Sequence, residues 1–191
     1  MDYHITLSDT KLRNGVMKFK EGTVKLSGKI LDMGCGDSPY HNDLGSDDVI
    51  GIDLPDDLRL KSTWSRFKDN EFDCVISFGV LHWLGNKNWL QESYRVLKDG
   101  GLFHHYFWER TQIEKPEIRL SMSGMPTPYK RSQQEAYDEF TKTGFKVEQC
   151  INVNPKIIGA NPMFRFLKIN SLKSIVEKQP KIHFLRIWGT K

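Results

Sequence analysis

From Gly28 to Asp53 the chain reads as strand, glycine turn, short helix, strand and acid, and this order constrains everything around it. Ile30 and Leu31 begin a short apolar run with the length and flanks of a buried parallel strand. The run stops at Asp32, and Gly34 and Gly36 follow at a spacing of two. Glycines there let the backbone turn sharply, so that its amides approach a ligand closely. Pro39 suits the first turn of a short helix, where a missing amide hydrogen costs nothing. A second apolar run, Val49 to Ile52, ends in Asp53. An acid at the tip of the second strand is where a nucleoside-binding fold hydrogen-bonds a ribose hydroxyl. The stretch describes a nucleoside pocket.

The turn narrows the choice of nucleoside. A dinucleotide site needs Gly-x-Gly-x-x-Gly, with a pyrophosphate packed on a helix N-terminus. Counting from Gly34, the sixth position is Pro39, and Asp32 and Asp37 place negative charge where the pyrophosphate would lie. Such charge favours a cationic ligand. The segment resembles motif I of the class I S-adenosylmethionine-dependent methyltransferases, hydrophobic-Leu-Asp-x-Gly-x-Gly-x-Gly, with Ser38 at the third glycine. The resemblance implies that Asp32, Gly34 and Gly36 cradle the methionine part of the cofactor and that Asp53 holds its ribose. An α/β-hydrolase or kinase turn is the alternative for this motif taken alone.

Further motifs follow in the family's order. Phe72 to Val80 is a buried strand, and Leu81-His82-Trp83-Leu84 resembles the Leu-His-His that follows strand four. The resemblance makes Ser77 and Phe78 further cofactor-lining candidates. A helix starts at Asn86 or Asn88 and carries Leu90, Tyr94 and Leu97 on one face. Arg95 to Gly101 resembles Arg-Val-Leu-Lys-Pro-Gly-Gly, with Asp99 for proline, and the glycine pair leads into strand five, Leu102 to Trp108. His104 and His105 face opposite sides of that strand and read as core histidines rather than catalysts.

The region between Asp53 and Asp73 is about half as long as relatives need for a helix and a third strand. It lacks the acid that commonly binds the adenine amino group, and Trp64 is the candidate to stack on adenine instead. Residues 1–27 are mixed and read as a helix or two, with Tyr3 a candidate lid aromatic or an ordinary packing residue. Residues 110–131 form a long loop at the substrate side. Ser132 to Glu135 is a capping box opening a helix through Phe140, closed by Gly144. Phe145 to Val153 alternates as a half-buried strand, 161–177 is a basic amphipathic helix, and Ile182 to Trp188 is the last strand.

The 191 residues fit one domain, 1–191. Cys35, Cys74 and Cys150 are widely separated, which suits a reducing cytoplasm and no disulfide framework. No Cys/His cluster has zinc spacing, so no metal is expected, and no apolar run has the length of a membrane span. Charge is uneven: after residue 150 there are eight Lys/Arg and one acid, Glu177. That basic segment meets RNA, another anionic partner, or only water.

The expected fold is therefore α/β: a three-layer sandwich around a mostly parallel seven-stranded sheet. Its last strand runs antiparallel, and its third is short or missing. The resemblance implies an S-adenosylmethionine-dependent methyltransferase, with S-adenosylhomocysteine as product. A small-molecule acceptor leads, RNA or protein is the runner-up, and a nucleoside-binding module without catalysis is the third reading. His82 is the candidate general base.

Overall fold

The computed structural model of the chain describes residues 6–7, 10–19, 22–36, 41–53, 60–78, 84, 88–108, 131–153 and 184–191. Four short strands come first: β1 (Thr6–Leu7), β2 (Thr10–Arg13), β3 (Val16–Phe19) and β4 (Gly22–Lys25). They form an antiparallel sheet in chain order. This corrects the expectation of helices before the core. Leu12, Met17 and Val24 are buried while Arg13, Lys18, Thr23 and Lys25 are exposed, the alternation of strands with one face covered.

The main sheet holds β5 (Ile30–Met33), β6 (Val49–Ile52), β7 (Phe72–Phe78), β8 (Leu97–Trp108), β9 (Lys146–Val153) and β10 (Phe184–Thr190). Its order is β6-β5-β7-β8-β10-β9. Strands β6, β5, β7 and β8 pair in parallel, and β10 runs antiparallel to both neighbours, as the sequence implies. Six strands are described rather than seven. Beside β6, where the third strand would stand, no strand lies among the described residues. Part of that interval is instead a short helix, α1 (Lys61–Ser65).

The contraction is held by the Arg95 of the Arg-Val-Leu-Lys motif. Its guanidinium donates to the carbonyls of Trp64 and Phe67 at 3.0 Å each and to Asp69 at 2.7 Å. The Trp64 carbonyl also accepts from the Phe67 amide at 3.0 Å, so the planar cation, with its five donors, ties an already closed helix end to the helix that carries Arg95. Arg95 belongs to α2 (Asn88–Val96); of the two expected caps, Asn86 lies outside the described residues and Asn88 is the first described residue of the helix. The chain then enters β8 at Leu97, so the glycine pair lies inside the strand and does not merely precede it.

Helix α3 (Gln133–Thr143) opens with both halves of the capping box, Ser132 Oγ accepting from the Glu135 amide and the Glu135 carboxylate from the Ser132 amide. It closes at Gly144 as expected. With α1 and α2 it covers one face of the sheet, over a core that includes Leu31, Val75, Trp89, Phe103, Phe140, Phe145 and Ile187. The other face packs Ile30, Cys74 and Ile76 against Leu12, Met17, Val24 and Leu44. The layer there is the N-terminal sheet plus a 3-10 helix, His41–Leu44, and the two sheets share that second core. Among the described residues no helix is long and apolar enough to cross a membrane.

Candidate functional site

A parallel sheet brings the carboxyl ends of its strands to one edge, and Asp32 lies near that edge on β5. It is fully buried, in register with Gly51 of β6 and Ile76 of β7. Burying a carboxylate is costly without hydrogen bonds. One partner is His41, whose Nε2 stands 3.0 Å from Asp32 Oδ2, the imidazole 25% exposed against 0% for the acid.

After Met33 the chain turns through Gly34 and Gly36, with φ of 76° and 55°. The Gly34 amide donates to the Ile52 carbonyl at 2.7 Å, tying the turn to the end of β6. Cys35 between them is buried, and Gly51 faces it: a Cβ on Gly51 would lie 2.6 Å from the Cys35 Sγ. Thus the turn packs on a strand position that must lack a side chain. Asp53 follows β6 directly and is half-buried. Asp32, Gly34, Gly36 and Asp53 converge at the carboxyl ends of two adjacent strands.

Ser77 and Phe78 close the described part of β7, next to β5. Ser77 is fully buried on the helix-covered face. Phe78, on the other face, stacks on Tyr106 at 5.9 Å between centroids and lies 6.2 Å from the His104 ring. His104 and His105 are both fully buried on opposite faces, as expected. Burial pushes His105 down to about 3. His104 is driven well below the usual imidazole range by burial, with the neighbouring charges of His105 and Arg186 acting in the same direction. Both are neutral at physiological pH, so neither is a cation for a ligand.

Two sequence candidates stand apart from this group. Trp64 is 1% exposed and belongs to the core beneath α1 and α2, with Phe67, Phe72 and Leu90. In this structure its ring is part of that core rather than open at the strand edge. His82 lies outside the described residues, as do 110–130 and 154–183. Sequence reasoning misses His41 and Tyr106. His41 carries no periodic or motif signal, and Tyr106 has only the pattern of any aromatic in a buried strand. The described residues contain no group of three or more His, Cys, Asp or Glu able to hold a metal ion.

The model of the methyltransferase domain family matches residues 31–104, from β5 into β8. No curated protein matches the sequence. Among solved structures, a Haloferax volcanii protein in complex with the Trm112 methyltransferase activator is 18% identical, covering 87% of this chain and 84% of its own, with a TM-score of 0.61. An S-adenosylmethionine-dependent methyltransferase from Mesorhizobium loti is 14% identical over 85% and 90% of the two chains, at 0.59. The phosphoethanolamine N-methyltransferase 2 of Haemonchus contortus, in complex with S-adenosylmethionine, is 17% identical over 88% of this chain and 49% of its own, at 0.56. These likenesses establish the fold, and the domain match falls on the half of the sheet that carries the acid, the glycine turn and the second acid. The match of residues 31–104 to the methyltransferase domain, within a fold shared with S-adenosylmethionine-dependent methyltransferases, supports methyltransferase activity with S-adenosylmethionine as cofactor.

Proposed function

We propose that this enzyme is a single-domain methyltransferase that transfers a methyl group to a small-molecule acceptor by direct displacement. The observation that carries the cofactor half of the reading is the convergence of Asp32, the positive-φ turn and Asp53 at adjacent strand ends. In this reading Asp32 receives the ammonium of the methionine moiety, the amides around Gly34 and Gly36 approach its carboxylate, and Asp53 accepts from the ribose hydroxyls. Ser77 and Phe78 line the neighbouring strand end. Trp64 has no part in it.

When bound, S-adenosylmethionine supplies a methyl on a sulfonium, ready for attack along the line of the C–S bond. The protein's contribution is then alignment and exclusion of water, which are worth several kcal/mol in well-oriented reactions. The apolar flank formed by Phe78 and Tyr106 serves that exclusion. A side-chain base is required only where the nucleophile must lose a proton, and His82, in the segment after β7, is the candidate.

The small-molecule acceptor is supported by the Leu-His-Trp and Leu-Lys-Asp-Gly-Gly segments, which resemble relatives acting on small metabolites. The shared fold of an enzyme solved with phosphomonomethylethanolamine and S-adenosylhomocysteine is compatible with it. The second reading, RNA, rests on the eight bases against one acid after residue 150. A panel of amine, hydroxyl and thiol metabolites, with total RNA as a separate arm, tests the choice by S-adenosylhomocysteine formation. Turnover of a small acceptor is expected. Turnover of RNA alone, with filter binding that survives physiological salt and is lost in Lys168→Glu/Lys173→Glu, overturns it.

A further inference from the structure

We propose that His41 is a positioning residue of the cofactor site, fixing the Asp32 carboxylate, and that the N-terminal sheet holds His41 in place. The proposal rests on the reading of Asp32 as the receiver of the cofactor's ammonium. Its first support is the contact itself, 3.0 Å between Nε2 and Oδ2. A carboxylate only accepts, so Nε2 is the donor. It accepts at about four positions, so one bond orients the group without exhausting it. A side chain held in one rotamer before the ligand arrives loses less entropy on binding than one that must be ordered.

Room for the ring is the second support. A Cβ on Gly51 would stand 3.4 Å from His41 Cε1 as well as 2.6 Å from the Cys35 Sγ. The strand position in register with Asp32 therefore has no side chain, and the imidazole and the Cys35 thiol fill the space. The glycine in Val-Ile-Gly-Ile serves the turn and His41 alike.

The third support is how the ring is anchored. His41 opens the 3-10 helix, whose Leu44 is fully buried between the two sheets. The Asp43 carbonyl accepts from the Gly15 amide at 2.7 Å. Gly15 is the tip of the β2–β3 hairpin, where Asn14 and Gly15 both have positive φ, 49° and 73°. That pair matches the two-residue turn suited to a twisted hairpin. A Cβ on Gly15 would stand 2.7 Å from the Leu44 carbonyl oxygen, so the approach of hairpin to helix depends on glycine. The N-terminal sheet thus reaches the cofactor acid through one hairpin tip, one helical turn and one imidazole.

The test is calorimetric titration with S-adenosylhomocysteine alongside thermal melts. The variants are His41→Ala, His41→Gln, Asp32→Asn and the Asp32→Asn/His41→Ala pair. His41→Ala should weaken binding about tenfold or more, the range for a hydrogen bond to a charged group. His41→Gln, whose amide still donates, should recover most of that. In the Asp32→Asn background the loss of His41 should change affinity less than about twofold, because coupled residues are not additive. Equal affinity of wild type and His41→Ala overturns the proposal, and so does His41→Gln no better than His41→Ala. Should His41→Ala melt early, His41→Leu against His41→Gln makes the same comparison. Wild type that fails to bind S-adenosylhomocysteine overturns the cofactor reading of Asp32, and the proposal with it.

Discussion

Ser77 and His105 stand opposite each other on the parallel strands β7 and β8, and neither the serine hydroxyl nor either imidazole nitrogen has a hydrogen-bond partner among the described residues. Trp89, Phe103 and Phe140 surround the ring, with Trp89 edge-on at 6.3 Å and Phe103 stacked at 5.8 Å. Leaving such groups unpaired is costly, of the order of 1–3 kcal/mol for each buried donor or acceptor. This strand end is thus held by apolar packing around neutral polar groups. It is a tolerable arrangement only while His105 stays unprotonated.

Stability should therefore depend on pH through the two buried histidines. An unfolded histidine titrates near 6.5, whereas folded His105 titrates at about 3 and His104 well below its usual range. The folded state binds fewer protons, so stability is intact above pH 6.5 and is lost as pH falls toward the folded values. At pH 5 His105 alone should have cost about 2 kcal/mol, with His104 adding in the same direction. Urea melts from pH 7.5 to 5 should show this slope, and His105→Phe should remove part of it. A flat profile over that window would show that the histidines are not buried as neutral groups.

Trp64→Ala separates packing from ligand contact. The ring is 1% exposed inside the core, so its removal should destabilise the fold by about 3–5 kcal/mol, as for other buried aromatics. Affinity for S-adenosylhomocysteine, measured on the folded fraction, should change by less than about threefold, under 1 kcal/mol. The opposite pattern, full stability with lost binding, would restore Trp64 to the adenine site.

These outcomes bear on what is legible in the sequence. The parallel strands β5 to β8 are readable because both faces are covered, so each is a continuous apolar run such as Phe72 to Phe78. The order of acid, turn and second acid follows from them. The N-terminal sheet escapes such a reading, because each strand of four residues or fewer offers too few positions for a period to emerge. Yet Asn14–Gly15 is a hairpin signal in plain view, and it is the informative pair there. Trp64 is ambiguous because an aromatic near a nucleoside site fits stacking and filling equally well from sequence, and its burial, which suits a shortened connection that needs bulk against the sheet, comes from tertiary packing. His41 is invisible because its role comes from a tertiary contact with Asp32, with no periodicity to mark it.

The capping box at Ser132 should be worth its usual amount. Its hydroxyl accepts from the Glu135 amide at 3.2 Å, and the Glu135 carboxylate accepts from the Ser132 amide at 2.7 Å. Helix α3 brings Ala136 and Phe140 into the core, so the cap supports a buried face. Ser132→Ala should cost about 1 kcal/mol, and Ser132→Gly only a few tenths. Denaturant midpoints measure both. Equal cost for the two would place the effect in the side chain's packing rather than in the cap.

Asp53 carries the last expectation. It follows the final residue of β6, which is locked to the glycine turn by the bond from the Gly34 amide to the Ile52 carbonyl. An acid so placed needs little reorganisation to accept from a ribose hydroxyl, and it is half-buried, so the bond would be partly shielded from water. Asp53→Ala should weaken S-adenosylhomocysteine by about 1–3 kcal/mol, the range for losing a hydrogen bond to a charged group with its partner left unpaired. Asp53→Asn, which keeps one carbonyl acceptor, should fall between. Ligand-induced rises in melting temperature report the same series, because binding to the folded state alone raises its stability. NAD should give no rise, since Pro39 stands where a pyrophosphate turn requires glycine. A rise with NAD and none with S-adenosylhomocysteine would overturn the nucleoside assignment. Unchanged S-adenosylhomocysteine affinity in Asp53→Ala would move the ribose contact elsewhere while leaving the turn in place.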